Sequence, residues 1–112
     1  MSPSSTDQAV MSAMQCIGNG QLQKAEDICK TLLEDHPLSA PALHAAGLVA
    51  YMKRDYETTI THISQAVQID ENNCQYFSNL GEACRRVGKL EEALDAFDKA
   101  IVLKPDFLKG HL

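Results

Sequence analysis

The chain has 112 residues, a formal net charge of −5 and 45% hydrophobic residues, which suits one folded domain. Fifteen acidic against ten basic residues leave no cationic surface for nucleic acid or an anionic membrane. No apolar run approaches the ~20 residues that cross a bilayer, the longest covering residues 45–52, and residues 1–8 hold neither Lys nor Arg nor an apolar stretch, so no secretion signal is read and a cytoplasmic location is expected.

Taken in order, residues 1–5 read as a loose tail whose Ser, Thr and Asp neighbours can cap a first helix at 7–17. Gly18-Asn19-Gly20 breaks it, and a second helix is expected at 22–35, with Leu22, Ala25, Ile28, Cys29, Leu32 and Leu33 at helical spacing and Pro37 as its stop. Ser39 is the expected N-cap of a third helix at 40–52, where Pro41 is tolerated in the first turn. Lys53-Arg54-Asp55 turns the chain into a fourth helix at 56–69. Asn73 can cap a fifth at 74–87, and Gly88-Lys89 leads into a sixth at 90–103.

The last two helices carry a pattern: Phe77, Leu80, Gly81 and Cys84, then Ala93 and Phe97, then Pro105. Thirty-four residues earlier the same columns hold Leu43, Ala46, Gly47, Ala50, Thr59, Ile63 and Glu71; thirty-four earlier again they hold Ala9, Ser12, Ala13, Cys16, Ala25, Cys29 and Pro37. Gly20, Arg54 and Gly88 recur two places before Leu22, Tyr56 and Leu90. This spacing resembles the tetratricopeptide repeat family. The resemblance implies an all-α, right-handed solenoid of three helix-turn-helix repeats, at about 6–39, 40–73 and 74–107 within a single domain 1–112, with 108–112 opening a further pair or an incomplete cap. Gly81 and Ala93 are expected to be small because two helices approach closely there. Stacked repeats normally end in a solvating cap, so either the chain is a piece of a longer array or a second copy covers the apolar end.

Signals for chemistry are nearly absent. No phosphate-cradling GxxxxGK[ST], HExxH, GxSxG or EF-hand loop occurs, and no cofactor, metal or catalytic residue is assigned. Cys16, Cys29 and Cys84 fall in core columns and, with Cys74, show no zinc spacing, so they read as structural thiols. His36, His44, His62 and His111 are scattered, with His44 expected to face the groove. Glu91 and Glu92 read as a solvated helix start.

What remains is binding. In the family resembled, the first helix of each repeat lines a concave face along which peptides lie. That implies a groove of Val10, Met14 and Ile17, joined by Met11, from the first repeat, and His44, Leu48, Tyr51 and Met52, joined by Ala45, from the second. Asn79, Glu82, Arg85 and Arg86, with Gln75 and Ser78, come from the third. The expected ligand has apolar anchors at one end and an acidic group at the other, since Arg pairs with carboxylates in bidentate fashion. The Lys/Asn clamp that some family members use for chaperone C-termini would fall on Val10, Met14, Ala45, Gln75 and Asn79, and is missing apart from the two polar residues. A weaker likeness, to the N-terminal arrays of bacterial O-linked N-acetylglucosamine transferase-like proteins, rests on the 79–83 and 88–93 runs and the Leu103-Lys104-Pro105 ending. Of that family's groove asparagines only Asn79 is present, with Met11 and Ala45 in the equivalent columns. The function expected is non-catalytic binding of a protein or peptide. The alternatives are a substrate-recruiting arm of a larger enzyme such as a glycosyltransferase, and a self-assembling scaffold that forms a homo-oligomer through its C-terminal end.

Overall fold

The computed structural model describes residues 5–104. They form six helices and, among the described residues, no strand: α1 (Ser5–Gly18), α2 (Leu22–Asp35), α3 (Ala40–Met52), α4 (Tyr56–Ile69), α5 (Cys74–Arg86) and α6 (Leu90–Leu103). The helices pack as hairpins, α1 with α2, α3 with α4, and α5 with α6, and the hairpins stack through α2 on α3 and α4 on α5. Four helices have the expected bounds. The first reaches a little further at both ends, and α5 stops at Arg86, with Val87 as its C-cap. The expected opening of a fourth pair, and Pro105, lie outside the described residues.

Local chemistry sets these ends. The Ser39 hydroxyl accepts from the Ala42 N–H at 3.3 Å, and the Asn73 carbonyl oxygen accepts from the N–H groups of Gln75 and Tyr76 at 3.0 and 3.2 Å. A third cap was hidden in the turn: Asp55 accepts from the Thr58 N–H at 3.3 Å and the Thr58 hydroxyl at 2.7 Å. Each hairpin turn contains one residue of positive φ, in the same column of the repeat: Gly20 (78°), Arg54 (64°) and Gly88 (81°). The next N–H then returns to a carbonyl five residues back, Gln21 to Cys16, Asp55 to Ala50 and Lys89 to Cys84, at 2.8–2.9 Å. This closes the helix as a Schellman motif does.

Arg54 is the exception in that column, because its Cβ meets the steric penalty of the left-handed region that glycine avoids. Arg54→Gly should therefore stabilise the chain by about 0.5–1 kcal/mol, after the extra unfolded-state entropy of glycine is subtracted. A rise in the urea midpoint at constant slope is the expected result; a lower midpoint would show that the turn carries no strain.

The core is a chain of small residues between hairpins. Ala13, Cys16, Ala25, Cys29, Ala45 and Val49 form one cluster, and Ala40, Leu43, Ile63, Ala66 and Tyr76 another. At the crossing inside the second and third hairpins the small column is required by distance. A Cβ on Gly47 would stand 2.7 Å from Ile63 Cγ1, and one on Gly81 would stand 2.9 Å from the Phe97 ring. The close approach expected at Gly81 is therefore present, made against Phe97, and Ala93 is buried.

Candidate binding groove

The first helices of the hairpins, α1, α3 and α5, supply every residue expected in the groove. The structure brings the α3 and α5 members together. Leu48, Tyr51, Asn79 and Glu82 line a cavity of about 190 Å³ together with Thr59 of α4. Thr59 is buried and donates its hydroxyl to the Gly47 carbonyl at 3.0 Å, which ties α4 to α3 under the cavity. The Tyr51 hydroxyl donates to Glu82 Oε1 at 3.3 Å, from one helix to the other.

Glu82 is the hub. Arg85 donates to it through Nε (3.2 Å) and a terminal nitrogen, and Arg86 through Nε at 3.3 Å. The hydrogen bond from Arg85, foremost, holds the Glu82 carboxyl below the usual carboxylate range. Arg86 also lies over the Tyr51 and Tyr56 rings, 5.8 and 5.9 Å from their centroids. The two arginines thus form a half-exposed cationic group already pinned by one carboxylate. The i, i+3 and i, i+4 spacing of Glu82 with Arg85 and Arg86 is a sequence-level signal for this cluster.

His44, expected to face the groove, is enclosed by its neighbours. It is buried, its ring 4.7 Å from that of Tyr76, and its Nε2 lies 2.7 Å from Asn79 Nδ2. Burial pushes its pKa down to about 4, so the ring is neutral. With the Asn79 amide donating, Nε2 is the acceptor and the ring proton sits on Nδ1. His44 therefore orients Asn79.

The α1 members do not join this cavity. Met14 and Ile17 pack against the core cluster containing Ala45 and Val49; Val10 is half-buried. Met11 and Met52 are more than half exposed. Ala45 is fully buried and presents no surface at its clamp column.

A larger cavity, about 440 Å³, lies elsewhere, lined by residues of α2, α3 and α4 that include Cys29, Leu33, Val49 and His62. Its rim carries both charge signs, with Lys53 paired to Glu26. The buried Nδ1 of His62 has no hydrogen-bond partner. Burial, with Glu26 adding, raises the Cys29 thiol to about 11, which makes it an unreactive core group. All four cysteines are free. Among the described residues no group of side chains could hold a metal, and no helix is long and apolar enough to cross a membrane.

Stacked helical hairpins with a side-chain-lined cavity between their first helices define the class: a helical-repeat protein. Residues 75–107 match the family model described as tetratricopeptide repeat, and the two preceding hairpins repeat its columns and its turn geometry. Residues 75–107 are thus a tetratricopeptide repeat, and the two hairpins before it resemble it in fold. Hsp70-Hsp90 organizing protein 1 of Glycine max is 36% identical over 56 residues, 50% of this chain and 10% of that protein. The chain spans about a tenth of the length of such curated relatives. Among solved structures, the second TPR of Spaghetti (RPAP3) bound to HSP90 peptide SRMEEVD superposes with a TM-score of 0.83 at 18% identity, over 88% of this chain and 92% of that one. An O-GlcNAc transferase mutant of Thermobaculum terrenum superposes at 0.78 with 23% identity, over 95% of this chain and 21% of the other. These likenesses concern the fold.

Proposed function

We propose that the chain is a non-catalytic interaction module that holds a peptide segment of a partner protein along α1, α3 and α5. The observation that carries this reading is the convergence of Leu48, Tyr51, Asn79 and Glu82 on one cavity beside an arginine pair. Apolar wall and cationic edge together fit a segment with hydrophobic anchors and an acidic group. The neighbour that holds an HSP90 peptide supports a peptide as the ligand type. Of the five clamp columns, Val10, Met14 and Ala45 are apolar, Gln75 and Asn79 stay polar, and the Asn79 amide is engaged by His44. Recognition in this chain is accordingly not that of a chaperone C-terminus. A cytoplasmic setting fits four free thiols.

Glu82 competes with any incoming carboxylate for Arg85 and Arg86. Arg85→Ala/Arg86→Ala should weaken a peptide that pairs leucine anchors with a glutamate cluster by about tenfold or more, with an unchanged melting temperature. Glu82→Gln should strengthen the same peptide, since it releases both guanidinium groups. Fluorescence titration reads both. If both variants bind like the parent, the arginines do not form the acidic end of the groove.

Two other readings have a specific observation behind them. The transferase neighbour favours a substrate-recruiting arm of a larger enzyme such as a glycosyltransferase. The exposed apolar residues of α6 favour self-assembly through that end, but a two-fold pairing there would set the acidic edge formed by Glu91, Asp95 and Asp98 against its own copy.

A further inference from the structure

The cavity of about 440 Å³ between α2 and α4 belongs neither to the α3/α5 groove nor to an end of the stack. Its floor is apolar and built of small side chains, Cys29 of α2 with Ala46, Val49 and Ala50 of α3, beside Leu33. The next interface holds larger residues in two of these columns, Ile63 for Cys29 and Leu80 for Ala46, and both pack in its core cluster. Opposite faces of α3 serve the two sites: Ala46, Val49, Ala50 and Lys53 turn to this cavity, and Leu48 and Tyr51 turn to the groove.

Both walls of the cavity are internal to the array. Further hairpins would stack beyond α1 or α6, and either addition leaves α2, α3 and α4 as they are. The cavity also opens toward the edge that holds the hairpin turns, through Lys53 and Asp55. Antiparallel hairpins bring Ser5 and Lys104 to the other edge, with the connections at 36–39 and 70–73, so the described chain begins and ends away from the opening.

Charge on the rim selects the occupant. Glu26 and Lys53 pair with each other, and the Asp55 carboxylate accepts from the Thr58 N–H and hydroxyl. Lys30 and Glu34, one turn apart on α2 and both exposed, have no ion pair. Burial lowers the pKa of His62 on the α4 wall, so it brings no competing cation at neutral pH. Three carboxylates against two ammonium groups leave the rim acidic on balance, with Glu34 the carboxylate still open.

We propose that this cavity seats an apolar side chain of a partner protein's helix, with a Lys or Arg one turn away on that helix set against Glu34. A helix lies naturally along the furrow between two others. The module then carries two recognition faces of opposite charge preference, on opposite sides of α3.

The test titrates into the full chain two labelled synthetic helical peptides with the same leucine row, one edged by lysines and the other by glutamates. The lysine peptide should saturate at one per chain, and its glutamate counterpart should bind at least about threefold more weakly. Ala46→Leu installs in the floor the residue that the next repeat carries in that column; it should keep or raise the melting temperature and cut lysine-peptide binding about tenfold or more. Glu34→Gln should weaken that peptide and Lys30→Gln strengthen it, each about two- to threefold and less at high salt. Arg85→Ala/Arg86→Ala should leave it unchanged, which separates this site from the groove. Parent-like binding by a folded Ala46→Leu variant, or shifts in the same direction for Glu34→Gln and Lys30→Gln, overturns the proposal. Should Ala46→Leu lower the melting temperature, those two exposed positions carry the decision. Displacement of the probe by a synthetic peptide of residues 105–112 also overturns it, by assigning the cavity to the chain's own tail. So does sedimentation that shows a dimer dissociated by Ala46→Leu, which would assign it to a second copy.

Discussion

Gly47→Leu should lower the melting temperature by more than about 10 °C, and by more than Gly81→Leu does. The two glycines share a column, yet their neighbours differ in freedom. A Cβ at Gly47 meets Ile63 at Cγ1, close to that residue's own backbone, and Ile63 is fully buried. A Cβ at Gly81 meets the edge of the Phe97 ring, and Phe97 is only partly buried, so its ring can swing outward. Overpacking costs about 1–3 kcal/mol where neighbours can shift and more where they cannot. For a chain of about this size each kcal/mol lowers the midpoint by roughly 4–8 °C. Calorimetry on the two variants orders them. Ile63→Ala should recover part of the loss in Gly47→Leu, because the clash disappears with the ethyl group, and the two changes should be clearly non-additive. Equal midpoints for Gly47→Leu and the parent would mean that α3 and α4 do not meet at this column.

The repeat columns made most of the architecture readable before any coordinates. Helix bounds followed from Gly20, Ser39, Asn73 and Gly88, each of which acts through its own backbone or the next turn. Local chemistry of that kind is written in consecutive residues. Asp55 was read only as part of a turn because Arg54, not glycine, precedes it, although it caps α4 as fully as Ser39 caps α3. The candidate site was less legible. Column position assigns His44 to the first helix of its repeat, but its burial depends on Tyr76 and Asn79, more than thirty residues away. A repeat period gives the direction of a side chain and not the size of what it meets. The Glu82 cluster shows the reverse case: its i, i+3 and i, i+4 spacing carried a signal that the reading of the arginines as free cations left unused, and only the link to Tyr51 required the fold.

Acid should destabilise the chain well above the range in which carboxylates titrate, and His44 is the reason. Its folded pKa is about 4 against 6.5 for the free side chain, and the cause is burial. Above pH 6.5 the ring is neutral in both states and its contribution is fully present. As the pH falls below 6.5 the unfolded chain takes up a proton that the folded chain refuses, so stability declines until the pH passes below about 4, where the folded ring is protonated as well. The loss is about 2 kcal/mol by pH 5 and about 3 kcal/mol by pH 4. His62, also lowered by burial, adds in the same direction. Urea unfolding of the parent and of His44→Gln at pH 7 and pH 5 isolates the term: the parent should lose markedly more than the variant between the two. An identical loss would place the acid sensitivity elsewhere. The consequence reaches the groove, because His44 Nε2 accepts from the Asn79 amide only while it is unprotonated. Protonation turns that nitrogen into a donor and forces the Asn79 carboxamide to rotate, presenting its NH₂ where its carbonyl had been. A ligand held by Asn79 should therefore keep its affinity while the fold loses stability below pH 6.5 and lose it only around pH 4, where the folded ring itself takes up a proton; the ring nitrogen chemical shifts of His44 would report that step.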